Sequence, residues 1–192
     1  MTTPSQIFID EVFENLDFRT TSFQQGDYEN CSFSKCRFSD LYLSNTQFIE
    51  CEFDNCDFSG AHLKNCSFKE VAFFQSKLIG LHFFECLTFL LSFDFEECNL
   101  SYSSFEELDI KNTRFKNCNL EQTDFSHSNL SEAILDNCNL KNALFENTNL
   151  EKANLYSSFN INMDPDKNRL KNAIFSTNGA LALLSKHQMI IK

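Results

Sequence analysis

The chain has little of what usually punctuates a fold. Its 192 residues include four glycines and two prolines, so frequent corners would have to come from a repeated pattern rather than from turn residues. No apolar run approaches the ~18 residues that a membrane-spanning helix requires, which predicts no membrane span. The start, Met1-Thr2-Thr3-Pro4-Ser5-Gln6, is neither basic nor apolar. It reads as no signal peptide and predicts a cytoplasmic location. Positive charge is also scarce: 16 Lys+Arg stand against 27 Asp+Glu, a net charge of −11. Residues 38–63 and 78–110 hold no Lys or Arg at all. A phosphate backbone needs a basic footprint, so direct nucleic-acid binding is not expected. No C-x-x-C pair, glycine-rich phosphate loop or nucleophile motif occurs. Those absences argue against a zinc site, a cofactor and an enzyme.

What the chain does have is a beat of five. Counting from Phe8 in steps of five gives Phe13, Phe18, Phe23, Tyr28, Phe33 and onward to Phe83, and a second run goes from Leu100 to Leu155. All 28 positions are large and apolar, apart from the phenol of Tyr28. Neither a helix, with apolar residues three and four apart, nor a strand, with a period of two, produces this. Two residues before the apolar centre, 22 of the 28 fives carry a small residue, such as Cys51, Ala61, Thr113 or Ser128. The other three positions hold most of the Asn, Asp, Glu, Lys and Ser. One large and one small inward residue per five describe a coil with four sides, 20 residues around. A stack of such coils is a quasi-one-dimensional solenoid whose ends need caps. At the ~4.8 Å strand spacing, seven to eight coils make a rod of roughly 35–40 Å.

The nine cysteines fit this pattern: Cys31, Cys36, Cys51, Cys56, Cys66, Cys86, Cys98, Cys118 and Cys138 all fall on the small inward position. They read as free, buried small hydrophobes rather than disulfides or ligands. His62 and His82, 20 apart, stack on one outer edge and read as solvated.

The beat breaks twice. From Phe83 to Leu100 is 17 residues, two more than three repeats. The slip therefore lies within 84–99, and either Phe93 or Phe95 can carry the beat. Around Asn160 and Pro165 the phase survives, but those two residues would occupy inward slots. At the N-terminus, Gln6 and Glu11 sit where small residues belong, so the first full coil is expected near Phe13, with Ile7, Phe8, Ile9 and Val12 covering the open end. After Phe175 the period becomes helical, with Ser176 or Thr177 as N-cap, followed by a short strand over Gln188–Lys192. Residues 1–175 thus form the solenoid, and 176–192 a cap and dimerisation segment. Leu181, Leu183, Leu184, Met189, Ile190 and Ile191 exceed what capping a thin rod requires and predict a two-fold homodimer.

Residues Cys118-Asn119-Leu120, Ser128-Asn129-Leu130, Cys138-Asn139-Leu140, Thr148-Asn149-Leu150 and Ala153-Asn154-Leu155 resemble the A(D/N)LXX pattern of the pentapeptide-repeat family. The resemblance covers about residues 13 to 175. It implies an all-β fold, a right-handed quadrilateral β-solenoid, with the C-terminal helix and strand appended. Several family members resemble duplex DNA in width, handedness and charge, and bind type II topoisomerases. Asp164-Pro165-Asp166-Lys167-Asn168-Arg169-Leu170-Lys171-Asn172-Ala173-Ile174-Phe175-Ser176, leading into an Ala/Leu helix, is similar to the ending of the albicidin-resistance protein among them.

Charge bears on that implication. Residues 1–159 carry 25 acids and 11 bases, and residues 160–192 two acids and five bases. Duplex DNA of the rod's length carries about 20–24 charges, and the body's net −14 (11 minus 25) is of that order. The resemblance therefore implies DNA gyrase or topoisomerase IV as partner. Glu85, Asp94, Glu96, Glu97, Glu106, Glu107 and Asp109, clustered around the slip, are the expected contact acids. Inhibition and protection from quinolone or peptide-type poisons are both open. The alternative is a non-catalytic interaction scaffold with an acidic face, or acidity that serves solubility alone.

Overall fold

The computed structural model of the protein describes residues 6–184 and residue 187. The five-residue beat resolves into a four-sided β-solenoid in which every strand pairing is parallel. Two of the four sides are regular enough to form sheets. One side makes a four-stranded sheet through Gln6–Ile9, Gly26–Glu29, Gln47–Ile49 and Ser67–Lys69. The next makes a nine-stranded sheet running the length of the rod, from Val12–Glu14 to Ile174–Phe175. The other two sides join coil to coil by single bridges, such as Asp17 to Arg37 and Asn119 to Asn139.

Register follows directly from the repeat. Val12, Phe13 and Glu14 align with Ser32, Phe33 and Ser34, a shift of 20. Identical phases therefore stack, and rings fall on rings. Phe13, Phe33, Phe53, Phe73, Phe95 and Phe115 form one column with centroids 4.7–5.3 Å apart and planes within 9–13°. Around each coil, rings of adjacent sides meet edge to face, as Phe53 does with Phe48 and Phe58 at 5.2 and 5.0 Å. Offset stacks and edge contacts are the two favourable ring geometries, and this core alternates them along and across the rod.

The small inward position has a second task. Its side chain donates to the carbonyl of the preceding coil's apolar centre, one side earlier. Thr148 Oγ1 donates to Phe125 at 2.9 Å, Ser158 Oγ to Leu135 at 2.8 Å and Cys138 Sγ to Phe115 at 3.3 Å. The corner carbonyls escape the strand ladder, and an unpaired buried carbonyl is costly. Cys, Ser and Thr thus combine small volume with a donor, which alanine lacks. At Gly26 even a methyl is excluded, because a Cβ there would collide with the carbonyl oxygen of Gln6.

Burial and thiol–thiol contacts together set the state of the thiols, and the Cys56 thiol one coil on lowers Cys36. All nine are free and buried. Burial pushes Cys51 up to about 12. The Cys138 thiol stacked above Cys118, followed by burial, raises it to about 12. A thiol whose folded pKa exceeds its ordinary value of 9.0 stabilises the fold fully below that pH, and loses this as pH rises above it. The melting temperature should hold up to pH 8 and fall by pH 10, and native thiols should resist alkylation at pH 8. Rapid labelling of several thiols at pH 8 without unfolding would contradict this buried assignment.

Most corners are made by left-handed backbone two residues past the centre. Twenty-six non-glycine residues adopt positive φ, among them Asn15, Asn55, Asn117 and Asn142, and Gly60 and Gly80 do the same. Asn tolerates this region far better than most L-residues, which accounts for its abundance here.

Several expectations change. The first coil begins at Gln6 rather than near Phe13: Phe8 stacks on Tyr28 at 4.5 Å, while Ile7, Ile9 and Val12 point outward instead of covering the end. At the second break, Asn160 and Pro165 do not fill the inward slots. Ile161 and Met163 do, while Asn160 turns a corner at φ 58°. Asn168 takes a donor slot, with Nδ2 to the Phe145 carbonyl at 2.9 Å. The slip lies between Leu87 and Ser92. Up to Leu87 the shift is still 20; from Val71 paired with Phe93 to His82 paired with Ser104 it is 22, and it returns to 20 at Phe95 paired with Phe115. Phe95 continues the ring column, and Phe93 fills the companion slot opposite Val71.

At the C-terminal end a helix spans Thr177–Leu183, with Ser176 Oγ accepting from Gly179 N at 3.1 Å. Leu183 turns inward and joins the core, whereas Leu181 is exposed. Of the other expected dimer residues, Leu184 is half-buried, and Met189, Ile190 and Ile191 lie outside the described residues, as does the expected strand.

Candidate functional site

A rod with a filled core offers its surface as the only place for function. Among the described residues no group of three or more His, Cys, Asp or Glu is placed to hold a metal. No helix is long and apolar enough to cross a membrane. What the coil geometry distributes over the surface is charge.

The acids expected around the slip do not form one patch. Asp94 and Glu96 lie on the nine-stranded side, where each faces a cation one coil on: Arg114 at 3.6 Å and Lys116 at 2.6 Å. Glu97 occupies the following corner and accepts from Gln75 Nε2 at 2.8 Å. Asp109 is on the four-stranded side's continuation and accepts from Asn129 Nδ2 at 2.9 Å. Glu106 and Glu107 share a concavity with Phe84, Thr88 and Leu108, and Glu85 is exposed at the same level of the chain. The structure brings Glu106 and Glu107 together and sets Asp94, Glu96, Glu97 and Asp109 apart from them.

Pairing between coils is denser past the slip; before it the described residues show one such pair, Arg37–Asp57 at 4.0 Å. Past the slip, a Lys or Arg one coil away answers an acid six times. Besides the two pairs above, these are Lys141–Glu121, Lys152–Glu132 and Lys167–Glu146 at 2.8 Å and Arg169–Glu151 at 2.9 Å. Lys152 and Lys167 lower Glu132 and Glu146, and Glu96 and Glu121 raise Lys116 and Lys141. Exposed pairs contribute little stability, but they cancel charge locally. Before the slip, Glu50, Glu52, Asp54 and Glu70 lie on the nine-stranded side and its leading corner. None of the four makes an ion pair among the described residues. One coil further from Glu52 and Asp54 stand Ala72 and Phe74, not cations. The sequence carried the signal in the identity of the residue 20 positions on; counting charge per window does not find it.

The repeat matches two family models: one described as pentapeptide repeats over residues 31–69 and 42–80, and one as pentapeptide repeat region over residues 89–162. The chain belongs to the pentapeptide-repeat family. The gap between the models, 81–88, abuts the insertion, where the five-residue phase is lost. No curated protein matches this pentapeptide-repeat sequence individually. Among solved structures, trypsin-treated QnrB1, described as a plasmid-mediated fluoroquinolone resistance protein, superposes with a TM-score of 0.64 at 18% identity, covering 97% of this chain and 100% of that one. HetL from the cyanobacterium Nostoc sp. strain PCC 7120, described as involved in heterocyst differentiation regulation, gives 0.56 at 16% identity, covering 91% and 88%. At these identities the likeness is one of fold.

Proposed function

We propose that the protein is a DNA-mimicking ligand of a bacterial type II topoisomerase, DNA gyrase or topoisomerase IV, acting as a non-catalytic binder in the cytoplasm. The observation that carries the reading is the row of carboxylates Glu50, Glu52, Asp54 and Glu70, none of them ion-paired among the described residues, on a rod whose coils past the slip carry six inter-coil ion pairs. Coils ~4.8 Å apart place such charges at a spacing comparable to phosphates, which lie ~3.4 Å apart along one strand of DNA. A surface evolved for another basic protein could share that acidity. The topoisomerase is favoured by the acidic solenoid combined with the Asp164–Ser176 segment and the helix after it. Among the expected contact acids, Glu85, Glu106 and Glu107 lack ion pairs but lie on a different side of the rod from that row, whereas Asp94 and Glu96, on the row's own side, are paired and contribute less. The C-terminal helix, with Leu181 outward, is read as the contact between two rods related by a two-fold axis.

Supercoiling assays with purified gyrase test this. Wild-type protein at micromolar concentration is expected to inhibit supercoiling or relieve quinolone-stabilised cleavage, with potency falling as salt screens the carboxylates. The free protein should sediment at twice its 22.3 kDa chain mass. No effect on gyrase or topoisomerase IV at micromolar protein overturns the topoisomerase assignment. A monomeric mass overturns the dimer.

A further inference from the structure

With Leu91 packed back against the core, the two-residue insertion between Leu87 and Ser92 pushes Thr88–Leu90 out of the coil as a ridge. Its sequence is not that of a mere loop. Phe89 and Leu90 are 72% and 65% exposed, and Phe84 and Leu87, just before them, are 42% and 47% exposed. Four large apolar side chains within seven positions thus face water, whereas past the slip such residues are exposed singly, as Ile134, Leu144 and Phe159 are. Leu90 also sits at φ 57°, a region that Asn or Gly would occupy at lower cost. Neither folding nor solubility accounts for Phe-Leu at this turn, because Asn-Gly would close it with less strain and no exposed rings.

The surroundings restrict what could cover the patch. No Lys or Arg occurs in residues 78–110. On one flank of the ridge, Glu106 and Glu107 line the concavity with Phe84. On the other, a groove of about 670 Å³ beside Leu90 and Leu91 holds both signs, Glu50, Glu70 and Asp109 together with Lys69, Lys111 and the Asp94-paired Arg114, so the flank with Glu106 and Glu107 is the acidic one. The ring of Phe89 already receives an ammonium, with Lys69 Nζ 5.6 Å from its centroid; aromatic faces attract cations in this way.

We infer that this ridge is a docking surface for a positively charged protein segment bearing large apolar side chains. Leucine-sized groups of the segment would pack on Phe84, Leu87, Phe89 and Leu90. Its lysines or arginines would meet Glu106 and Glu107. The inference does not depend on the topoisomerase reading, since its anchor is apolar and DNA offers no counterpart to it.

Two synthetic peptides of equal length and equal lysine content provide the probe, one alternating lysine with leucine and the other lysine with serine. At about 0.15 M salt, where charges beyond ~8 Å are screened, the leucine peptide should bind the wild-type protein at least ~tenfold more tightly, as burial of even one leucine would give. The variant carrying Phe89→Ser and Leu90→Ser should melt at the wild-type temperature, because both side chains are exposed. Its preference for the leucine peptide should fall below about threefold. No preference in the wild type, or an undiminished one in the variant, overturns the inference. If the double substitution weakens self-association and leaves peptide affinity unchanged, the patch belongs to a second copy of the chain, and the inference is likewise overturned.

Discussion

Phe53→Ala is expected to destabilise the rod by about 4 kcal/mol, near the middle of the range for a fully buried phenylalanine. The ring is completely buried. It is stacked between Phe33 and Phe73 at 4.7 and 5.1 Å and meets Phe38, Phe48 and Phe58 edge-on within 5.8 Å. Its neighbours are locked by their own stacks above and below, so the cavity cannot collapse without breaking the register of whole coils. The consequence should go beyond a lower midpoint. In a solenoid each coil is held by its neighbours alone, so the gap decouples the coils before Phe53 from those after it. Urea unfolding should change from one transition to two, with the N-terminal coils melting first. A loss below about 1 kcal/mol with a single unchanged transition would mean that the ring column is not a continuous core.

Neutralising the unpaired row, with Glu50→Gln, Glu52→Gln, Asp54→Asn and Glu70→Gln together, should weaken gyrase inhibition by nearly three orders of magnitude. Each charge contributes ~1 kcal/mol at contact distance in a water-like medium, and roughly 1.4 kcal/mol is tenfold in affinity. Folding should not suffer, since the row repels itself, and thermal melting should stay level or rise slightly. A matched control removes paired acids instead: Glu121→Gln, Glu132→Gln and Glu146→Gln. It should alter inhibition by less than about threefold, because each carboxylate is already neutralised by a lysine of the next coil. Equal losses in both variants would show that net charge alone is sensed, and not the position of the row.

Much of this architecture is legible in the sequence, because a solenoid converts distance along the chain into height. Phe33, Phe53 and Phe73 are 20 apart and therefore stacked; no long-range topology had to be guessed. The phase of the cysteines identifies them as buried in the same way. Three features resisted. The slip could not be placed, because Phe93 and Phe95 are equally apolar and both are buried; only the hydrogen-bond shift from 20 to 22 separates the centre from its companion. Ile161 and Met163 fill the core out of phase, where a short helical turn at Pro165–Lys167 interrupts the beat. Acids are densest around residues 85–109, and their pairing across coils is invisible to a count of charge per window. Charge density is not charge availability: Glu96 is cancelled by Lys116, whereas Glu52, in a sparser stretch, looks across to Ala72.

Because height is counted in twenties, the rod is also a ruler with discrete marks. Duplicating one 20-residue coil between Glu52 and Glu70 would raise every later group by ~4.8 Å and keep all four sides facing as before. Inserting five residues would turn the remainder by a quarter, carrying Glu70 onto a different side. The two residues absorbed between Leu87 and Ser92 do neither, since they are extruded and the sides beyond them realign at once. Such a molecule can change length in whole coils, or gain a protrusion, without rotating one end of its surface against the other.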